Sequence, residues 1–309
     1  MIRLRLLLNG SIKQPNTHYS WQRLFAVLAL VAVLGWAMPT PVIAQQPIVI
    51  NLEFEYLRQG TAGIISLTGS GINGAVATAL GRTCPFFPVS DGYACLIATP
   101  MDQKIRDYPL TVIVNRVDGT TAKWEGTLKV ASGQFIAEPE FNVPSAKFYL
   151  LRKDIELSEE ARLEAIYSMV TPDRFWDEQF KQPVDGALTS PYGTVRAYND
   201  GNVRRHTGYD LRAPMGTPVE ASASGRVVYA RPLDIHGNIE VIDHGWGIFN
   251  SYSHLSEIYV VPGQFVLEGD IVARSGNTGR SLGPHVHWEI AVDGTVVDPA
   301  AFARLKLPN

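Results

Sequence analysis

The stretch TPVEASASGRVVYA, residues 217–230, decides the fold expected for the C-terminal part of the chain. It has the pattern of a β-strand, a turn that contains glycine, and a second β-strand, because β-branched and aromatic residues favour strands and glycine favours turns. The segment QFVLEGDIVARSG, residues 264–276, repeats this order of strand, turn and strand. The repetition predicts an internally duplicated, barrel-like antiparallel β-sheet.

Strand-like segments also fill most of the remaining chain. Between residues 46 and 132, runs such as GIISLTG and YPLTVIVNRV are separated by Gly, Pro and Asp turns, which is typical of a small, immunoglobulin-like β-sandwich. The pair Asp118-Gly119 predicts a hairpin. A second β-rich region runs from residue 187 to 305. The sequence therefore predicts a mainly β protein in two blocks, the first acting either as a binding module or as a folded spacer.

A linker from residue 133 to 186 joins the two blocks, and it contains one predicted helix at 157–170. Ser158 can cap the N-terminus of this helix, and Glu159 in the first turn favours the positive end of the helix dipole. Pro172 follows its end, where proline stops a helix. We expect the helix to connect the two β-regions.

Residues 1–44 have the pattern of a secretory signal peptide. They contain no acidic residue, carry basic residues before Leu24, and then run LFAVLALVAVLGWAM from 24 to 38. That run is shorter than the roughly 20 apolar residues of a bilayer-spanning helix. We expect cleavage near Ala44, after the helix-breaking PTPVIA. The alternative is an uncleaved membrane anchor, and both interpretations place the rest of the chain outside the cytoplasm.

Composition and cysteine usage exclude some classes of function. The formal net charge of the 309 residues is -3, so the chain has no general basic field for binding nucleic acid. Cys84 and Cys95 are not part of a CxxC pair, which argues against a metal or redox role. Outside the cytoplasm we expect these two cysteines to form a disulfide.

Histidine is concentrated near the C-terminus. Of the seven histidines, His18 alone lies outside the stretch from residue 206 to 287. The six others are His206, His236, His244, His254, His285 and His287. Because imidazole binds zinc and titrates near neutral pH, this clustering predicts a site.

Two close pairs of residues suggest a metal. His285 and His287 in HVHWEI would share one face of a strand, since side chains alternate between faces. His206 and Asp210 lie four positions apart, with Gly208 between them to allow a bend. Two histidines and a carboxylate, with a fourth position open to water, form a known catalytic zinc arrangement. Each pair alone is weak evidence, and the two together predict a site.

The region from residue 188 to 302 resembles the lysostaphin/LytM-type zinc metallopeptidases of bacterial cell walls, the duplicated hybrid motif family. The matching segments are SPYGTVR at 190–196, HTGYDLRAPMGTPVEASASGRVV at 206–228, GNIEVIDHG at 237–245, YSHLSEI at 252–258, GQFVLEGDIVARSGNTGRSLGPHVHWE at 263–289 and DGTVVDP at 293–299. Their order and spacing cover a whole peptidase domain.

The resemblance implies that His206, Asp210 and His287 bind one Zn²⁺ ion and that His254 and His285 are the catalytic histidines. It implies an endopeptidase that hydrolyses the peptide cross-links or bridges of peptidoglycan. Zinc in such a site lowers the pKa of its bound water to about 7, and nearby histidines can orient or deprotonate that water. Which of the two histidines is the general base stays open.

Other interpretations explain the sequence less well. A non-catalytic wall-binding regulator of another hydrolase would keep the fold, but all five site residues are present, and it is kept as the alternative. A lipoyl or biotinyl carrier domain needs a lysine at a hairpin tip, and residues 188–305 contain none. A purely structural adhesion protein would leave the clustered histidines unexplained. For His236 and His244 we expect structural roles, the first in a loop and the second at a strand end.

Overall fold

The described chain is mainly β, with far more strand than helix, as the sequence predicts. The computed structural model describes residues 46–177 and 179–308, and the predicted signal peptide at 1–44 lies outside them. Residues 45–309 form one compact unit. Within the described ranges, no helix combines the length and the apolar character needed to cross a bilayer.

The N-terminal part is a two-sheet sandwich, which confirms the predicted architecture. Its strands are β1 (Val49–Leu52), β2 (Leu57–Arg58), β3 (Ala62–Thr68), β4 (Ile72–Ala79), β5 (Arg82–Pro85), β6 (Phe87–Val89), β7 (Gly92–Ala98), β8 (Asp107–Arg116) and β9 (Thr121–Ala131). One sheet has the order β1-β3-β7-β6 and the other β2-β9-β8-β4-β5. Alternate residues of β8, such as Leu110 and Val112, are buried between the sheets, as the period of two in a strand requires.

The hairpin between β8 and β9 turns at Asp118-Gly119, as predicted. Gly119 has a φ of 83°, a left-handed conformation that glycine adopts without a steric penalty. The N–H of Arg116 donates to the carbonyl oxygen of Thr120 at 2.9 Å and closes the turn.

The two cysteines are free thiols, so the disulfide expected from the sequence is wrong for this structure. Cys84 lies on β5 and Cys95 on β7, in opposite sheets, and both are buried. The Cys84 thiol donates to the carbonyl oxygen of Leu96 at 2.8 Å instead of bonding to the other sulfur. Burial, together with the neighbouring Cys84, raises the pKa of the Cys95 thiol. Because the thiolate is the reactive form, burial makes the Cys95 thiol less reactive than an exposed one.

The two β-regions are joined by residues 133–170, which we call the connecting segment. It contains a 3₁₀-helix, η1 (Ser145–Leu151), and an α-helix, α1 (Lys153–Tyr167). The first part of this segment pairs with the second β-region through two isolated parallel bridges, Ala137 to Val195 and Phe141 to Tyr198.

The bounds predicted for this helix need correction. Helix α1 overlaps the predicted range 157–170 but starts earlier, at Lys153, and ends earlier, at Tyr167, so Ser158 lies within it and does not cap it. Arg152, with an extended backbone, occupies the N-cap position. Asp154 and Glu156 are the acidic residues of the first turn, where a negative charge stabilises the helix dipole.

The second β-region consists of antiparallel strands and one short helix. They are β10 (Leu188–Ser190), β11 (Val195–Ala197), β12 (Val203–Arg205), β13 (Tyr209–Arg212), β14 (Pro218–Glu220), β15 (Gly225–Leu233), β16 (Gly237–Gly245), β17 (Ile248–Leu255), β18 (Glu257–Ile258), β19 (Phe265–Val266), β20 (Ile271–Arg274), β21 (His285–Val292), β22 (Thr295–Val297) and α2 (Pro299–Phe302). The large sheet has the order β10-β13-β21-β17-β16-β15-β19, and β22 pairs with β21. Smaller sheets are β14-β20-β18 and β11-β12.

The two look-alike segments pair reciprocally. Strand β14 of the first segment pairs with β20 of the second, and β15 of the first pairs with β19 of the second. Each segment therefore contributes one strand to each of the two sheets in which they pair. This arrangement agrees with the duplicated sheet that the sequence predicts.

The large sheet separates an apolar core from the face that carries the histidines. On β21, the side chains of Val286, Trp288 and Ile290 lie in the main core cluster. His285 and His287 alternate with them and therefore lie on the opposite face, as predicted. The same core extends into the sandwich, where the ring of Phe87 stacks on Trp246 at a centroid distance of 4.9 Å.

Candidate metal centre

The pairing of β13 with β21 builds the centre. Asp210 on β13 lies directly opposite His287 on β21. His206 precedes β13 and approaches the same point because Gly208 packs against β21. A Cβ added to Gly208 would lie 2.4 Å from the carbonyl oxygen of Trp288, so glycine is needed for this close approach.

Three acceptor atoms converge at this point: His206 Nε2, Asp210 Oδ1 and His287 Nδ1. Each pair of these atoms is 2.9 Å apart. The outer nitrogens are occupied elsewhere: His206 Nδ1 lies 2.9 Å from the carbonyl oxygen of Pro191, and His287 Nε2 lies 3.0 Å from a carboxylate oxygen of Glu289. Carbonyl and carboxylate oxygens accept hydrogen bonds, so the outer nitrogens carry hydrogens, and the inner atoms present lone pairs when the rings are neutral.

Lone pairs at this separation repel one another unless a cation lies among them. Two neutral imidazoles and a carboxylate, with the outer nitrogens held by acceptors, are the donor set and tautomers that suit zinc. The possible ligand atoms of these three residues all lie within 4.8 Å of one another. The residues present therefore fit the predicted ion.

The pKa shifts of the three residues agree with a site that binds a cation. Burial would raise the pKa of Asp210, but the charge and hydrogen bond of His206, with those of the other histidines, hold it well below its usual value. Burial lowers the pKa of His206 in spite of Asp210. Burial would also lower the pKa of His287, but hydrogen bonds to Asp210 and Glu289 raise it to about 9, so a proton can occupy the position of the cation.

His254 and His285 lie side by side at the edge of this group, with ring centroids 4.8 Å apart. Nδ1 of His254 donates to the carbonyl oxygen of Thr278, and Nδ1 of His285 to that of Gly283, each at 2.8 Å. Nε2 of each ring is therefore not engaged by these backbone carbonyls, and that of His285 is 3.4 Å from Asp210 Oδ1. Burial, then the neighbouring histidines, lower the pKa of His254 well below its usual value, which keeps it a neutral base.

A cavity of about 790 Å³ lies over the centre. The five predicted site residues line one side, and α1 lines the other with side chains that include Glu156, Glu160 and Leu163. The volume falls within the range of ligand pockets.

The other two clustered histidines differ in position. His236 also lines the cavity, and its Nδ1 is 2.7 Å from a carboxylate oxygen of Glu159 on α1. His244 is fully buried away from the centre, contacts Asn250 and donates from Nδ1 to the carbonyl oxygen of Ser224 at 2.9 Å. The structure therefore brings five of the six histidines to the cavity and leaves His244 in the core.

Several polar residues around the centre were not singled out from the sequence. Glu289 could have been found, because HVHWE places it on the same face of the strand as both histidines. Arg196, which donates to Asp210, lies in the motif SPYGTVR but carries no local signal for this contact. Glu138 and Tyr167 lie in the connecting segment, and their contacts depend on tertiary packing.

Comparison with known proteins agrees with this geometry. The model described as peptidase family M23 matches residues 204–299. These residues are a peptidase M23 domain. The LytM-type resemblance found in the sequence is thereby confirmed. All three residues of the converging group fall inside the M23 domain, whereas the connecting segment lies outside it.

The M23 domain has curated relatives in several bacteria. The chain is 41% identical over 116 residues to the DD-carboxypeptidase/endopeptidase Mpg of Neisseria meningitidis, covering 38% of this chain and 27% of Mpg. It is 46% identical over 96 residues to the peptidoglycan DD-endopeptidase ShyA of Vibrio cholerae, covering 31% of this chain and 22% of ShyA. The chain therefore matches about a quarter of the length of these relatives.

The structural likeness extends beyond the M23 domain. A crystal structure of a peptidase M23 from Pseudomonas aeruginosa superposes with a TM-score of 0.58 at 26% identity. The superposition covers 79% of this chain and 93% of the other, so it includes residues on the N-terminal side of the M23 domain.

Proposed function

We propose that this protein is an extracytoplasmic zinc metalloendopeptidase that hydrolyses the peptide cross-links or bridges of bacterial peptidoglycan. The observation that carries the proposal is the convergence of His206 Nε2, Asp210 Oδ1 and His287 Nδ1 beside the adjacent rings of His254 and His285. The names of the relatives Mpg and ShyA support the substrate class. The signal-peptide pattern of residues 1–44 supports the location.

In this proposal His206, Asp210 and His287 hold the metal, and His254 and His285 handle protons. Bound zinc supplies a water whose pKa is about 7. The Nε2 of one histidine, when unprotonated, can take a proton from the attacking water and then pass it to the leaving amine, and the other ring, when protonated at Nε2, can donate to the oxyanion. The Nδ1 hydrogen bonds to backbone carbonyls keep both rings in the required tautomer.

We also propose a division of labour along the chain. Residues 187–305 act as the peptidase, residues 46–132 as an accessory β-module, and residues 133–186 as the linker between them. The support is the position of all five site residues within residues 187–305.

Two alanine variants test the catalytic proposal. His206→Ala removes a ligand and should lose bound zinc, whereas His285→Ala should keep zinc and lose cleavage by at least about 100-fold. Metal content of the purified proteins and mass spectrometry of fragments released from defined muropeptides measure the two effects.

The alternative, a non-catalytic wall-binding regulator, has a distinct outcome in the same assay. A wild-type protein that holds zinc and binds peptidoglycan but releases no fragments would favour it. Full cleavage by either alanine variant would instead refute the assignment of the site residues.

A further inference from the structure

We propose that the connecting segment supplies the outer hydrogen-bonding layer of the metal centre, with Glu138 and Tyr167 as positioning residues. This inference rests on the proposed function, because it concerns the same zinc ligands. Both residues lie outside the M23 domain, residues 204–299, so the domain as shared with its relatives does not contain them.

Glu138 acts on the ligand Asp210 through Arg196. Asp210 turns Oδ1 toward the histidines, and its other oxygen, Oδ2, accepts from Arg196 Nη2 at 2.7 Å. Arg196 Nε donates to Glu138 Oε2 at 2.9 Å. The Arg196 and Asp210 side chains are only 10% and 12% exposed, so the contact is poorly screened. Glu138 therefore fixes the plane of the guanidinium group, which in turn holds Asp210 with one oxygen free for the metal.

Tyr167 acts on the ligand His287 through Glu289. His287 Nε2 donates to Glu289 Oε1 at 3.0 Å, and the hydroxyl of Tyr167 donates to Glu289 Oε2 at 3.1 Å. Ser251 Oγ lies 3.0 Å from the Tyr167 hydroxyl and 3.3 Å from the same carboxylate oxygen, so the three groups form one hydrogen-bonded cluster. Burial, then the charge of Glu289, raise the pKa of the Tyr167 hydroxyl well above its usual value, so it remains a donor. Tyr167, the last residue of α1, thus holds the carboxylate that sets the tautomer of a ligand.

The same segment also holds the loops that position the catalytic histidines. Lys147 on η1 donates to the carbonyl oxygens of Gly279 and Ser281 at 2.8 and 2.9 Å. This loop includes Thr278, whose carbonyl oxygen accepts from His254. On α1, Glu159 accepts from the backbone N–H of Ile235 at 2.7 Å and from His236. The contacts of Glu138 and Tyr167 therefore belong to a segment that is anchored at several points around the cavity.

A positioning role predicts a loss of metal affinity rather than a loss of fold. Mutation of an outer partner of a metal ligand typically weakens metal binding about 10- to 100-fold. Tyr167→Phe removes one hydroxyl, and Glu138→Gln removes one charge while keeping the shape. Because the two residues act on different ligands, their effects should multiply in the double variant.

The experiment measures zinc affinity of the full chain by competition with a chromophoric chelator, together with the visible spectrum of the Co²⁺-substituted protein. We expect each single variant to bind zinc about 10-fold more weakly, the double variant about 100-fold more weakly, and the Co²⁺ spectrum to shift. Tyr149→Phe and Glu140→Gln are the matched controls, since these exposed residues of the same segment should leave both readouts unchanged.

Wild-type zinc affinity and an unchanged Co²⁺ spectrum in both single variants would overturn this inference even if the wild type cleaves peptidoglycan. A wild type that binds no zinc would overturn the proposed function instead. If Glu138→Gln fails to fold, Glu138→Asp, which keeps the charge but shortens the reach to Arg196, should show the same weakened zinc binding. Tight binding by that variant would contradict the role of Glu138.

Discussion

His254 has a left-handed backbone, with a φ of 62°, which costs a residue other than glycine about 1 to 2 kcal/mol. Its N–H donates to the carbonyl oxygen of His236, and its ring donates to that of Thr278, each at 2.8 Å. These two bonds hold the strained conformation and turn the imidazole toward His285. Strain of this kind is concentrated at functional sites, where the surrounding structure stabilises it.

Glu240 is a buried ionisable residue that lies outside the metal centre. It is 0% exposed, and neither carboxylate oxygen has a hydrogen-bond partner among the described residues. Burial raises its pKa to about 8. The folded protein therefore carries Glu240 protonated at neutral pH, whereas the unfolded chain ionises it near its ordinary pKa of about 4.3.

This difference makes the free energy of unfolding depend on pH. The contribution of Glu240 to the free energy of unfolding is fully present below the pKa of the unfolded chain. As the pH rises, it declines by about 1.4 kcal/mol per pH unit until the pKa of the folded protein is reached. We expect Glu240→Met to remove this decline, so that at pH 7 the variant is more stable than the wild type by about 4 kcal/mol. Urea unfolding at several pH values between 4 and 8 measures the effect.

The exposed Glu125, on the outer surface of β9, provides the control for this experiment. Glu125→Met should keep the wild-type dependence on pH. An equal slope for Glu240→Met and the wild type would show that Glu240 does not carry the effect.

At the scale of elements, the register of β13 against β21 decides the site. Gly208→Ala would force the turn before β13 away from the carbonyl oxygen of Trp288, which lies 2.4 Å from the added carbon. We expect the variant to move His206 away from His287 and to bind zinc at least about 10-fold more weakly. Isothermal titration with zinc measures this, and an affinity equal to that of the wild type would mean that the strands tolerate the carbon.

Part of the centre could be predicted from local sequence. The period of two in a strand places His285 and His287 on one face, and the short spacing of His206 and Asp210 brings them together. The register that sets Asp210 opposite His287 could not be predicted, because it depends on the pairing of strands far apart in sequence. Helix α1 illustrates a second limit, since Ser158 has the chemistry of a cap but the helix had already begun at Lys153.

At the scale of the whole molecule, the division into two β-regions was predictable, but the core that joins them was not. Phe87, on β6 of the sandwich, stacks on Trp246 of the second region, and Ile64 and Leu96 belong to the same core cluster. In the sequence these residues have the pattern of ordinary buried strand positions. Their partners become apparent when the sandwich packs on the large sheet. The thiols of Cys84 and Cys95 were misjudged for a related reason, since compartment alone does not determine the contacts of a buried sulfur.

The spacing of the proposed metal ligands has a consequence for the whole fold. His206 and His287 are 81 positions apart, so an ion held by both acts as a removable cross-link that closes a loop of that length. By the loop-closure argument used for disulfides, such a link raises the free energy of the unfolded chain by about 4.5 kcal/mol. We expect a strong chelator to lower the thermal midpoint of the wild type, added zinc to restore it, and His206→Ala to show no response. An unchanged thermal midpoint in the presence of the chelator would contradict this. If the midpoint does fall, then loss of metal destabilises the fold, and the metal-free protein should be degraded faster by proteases.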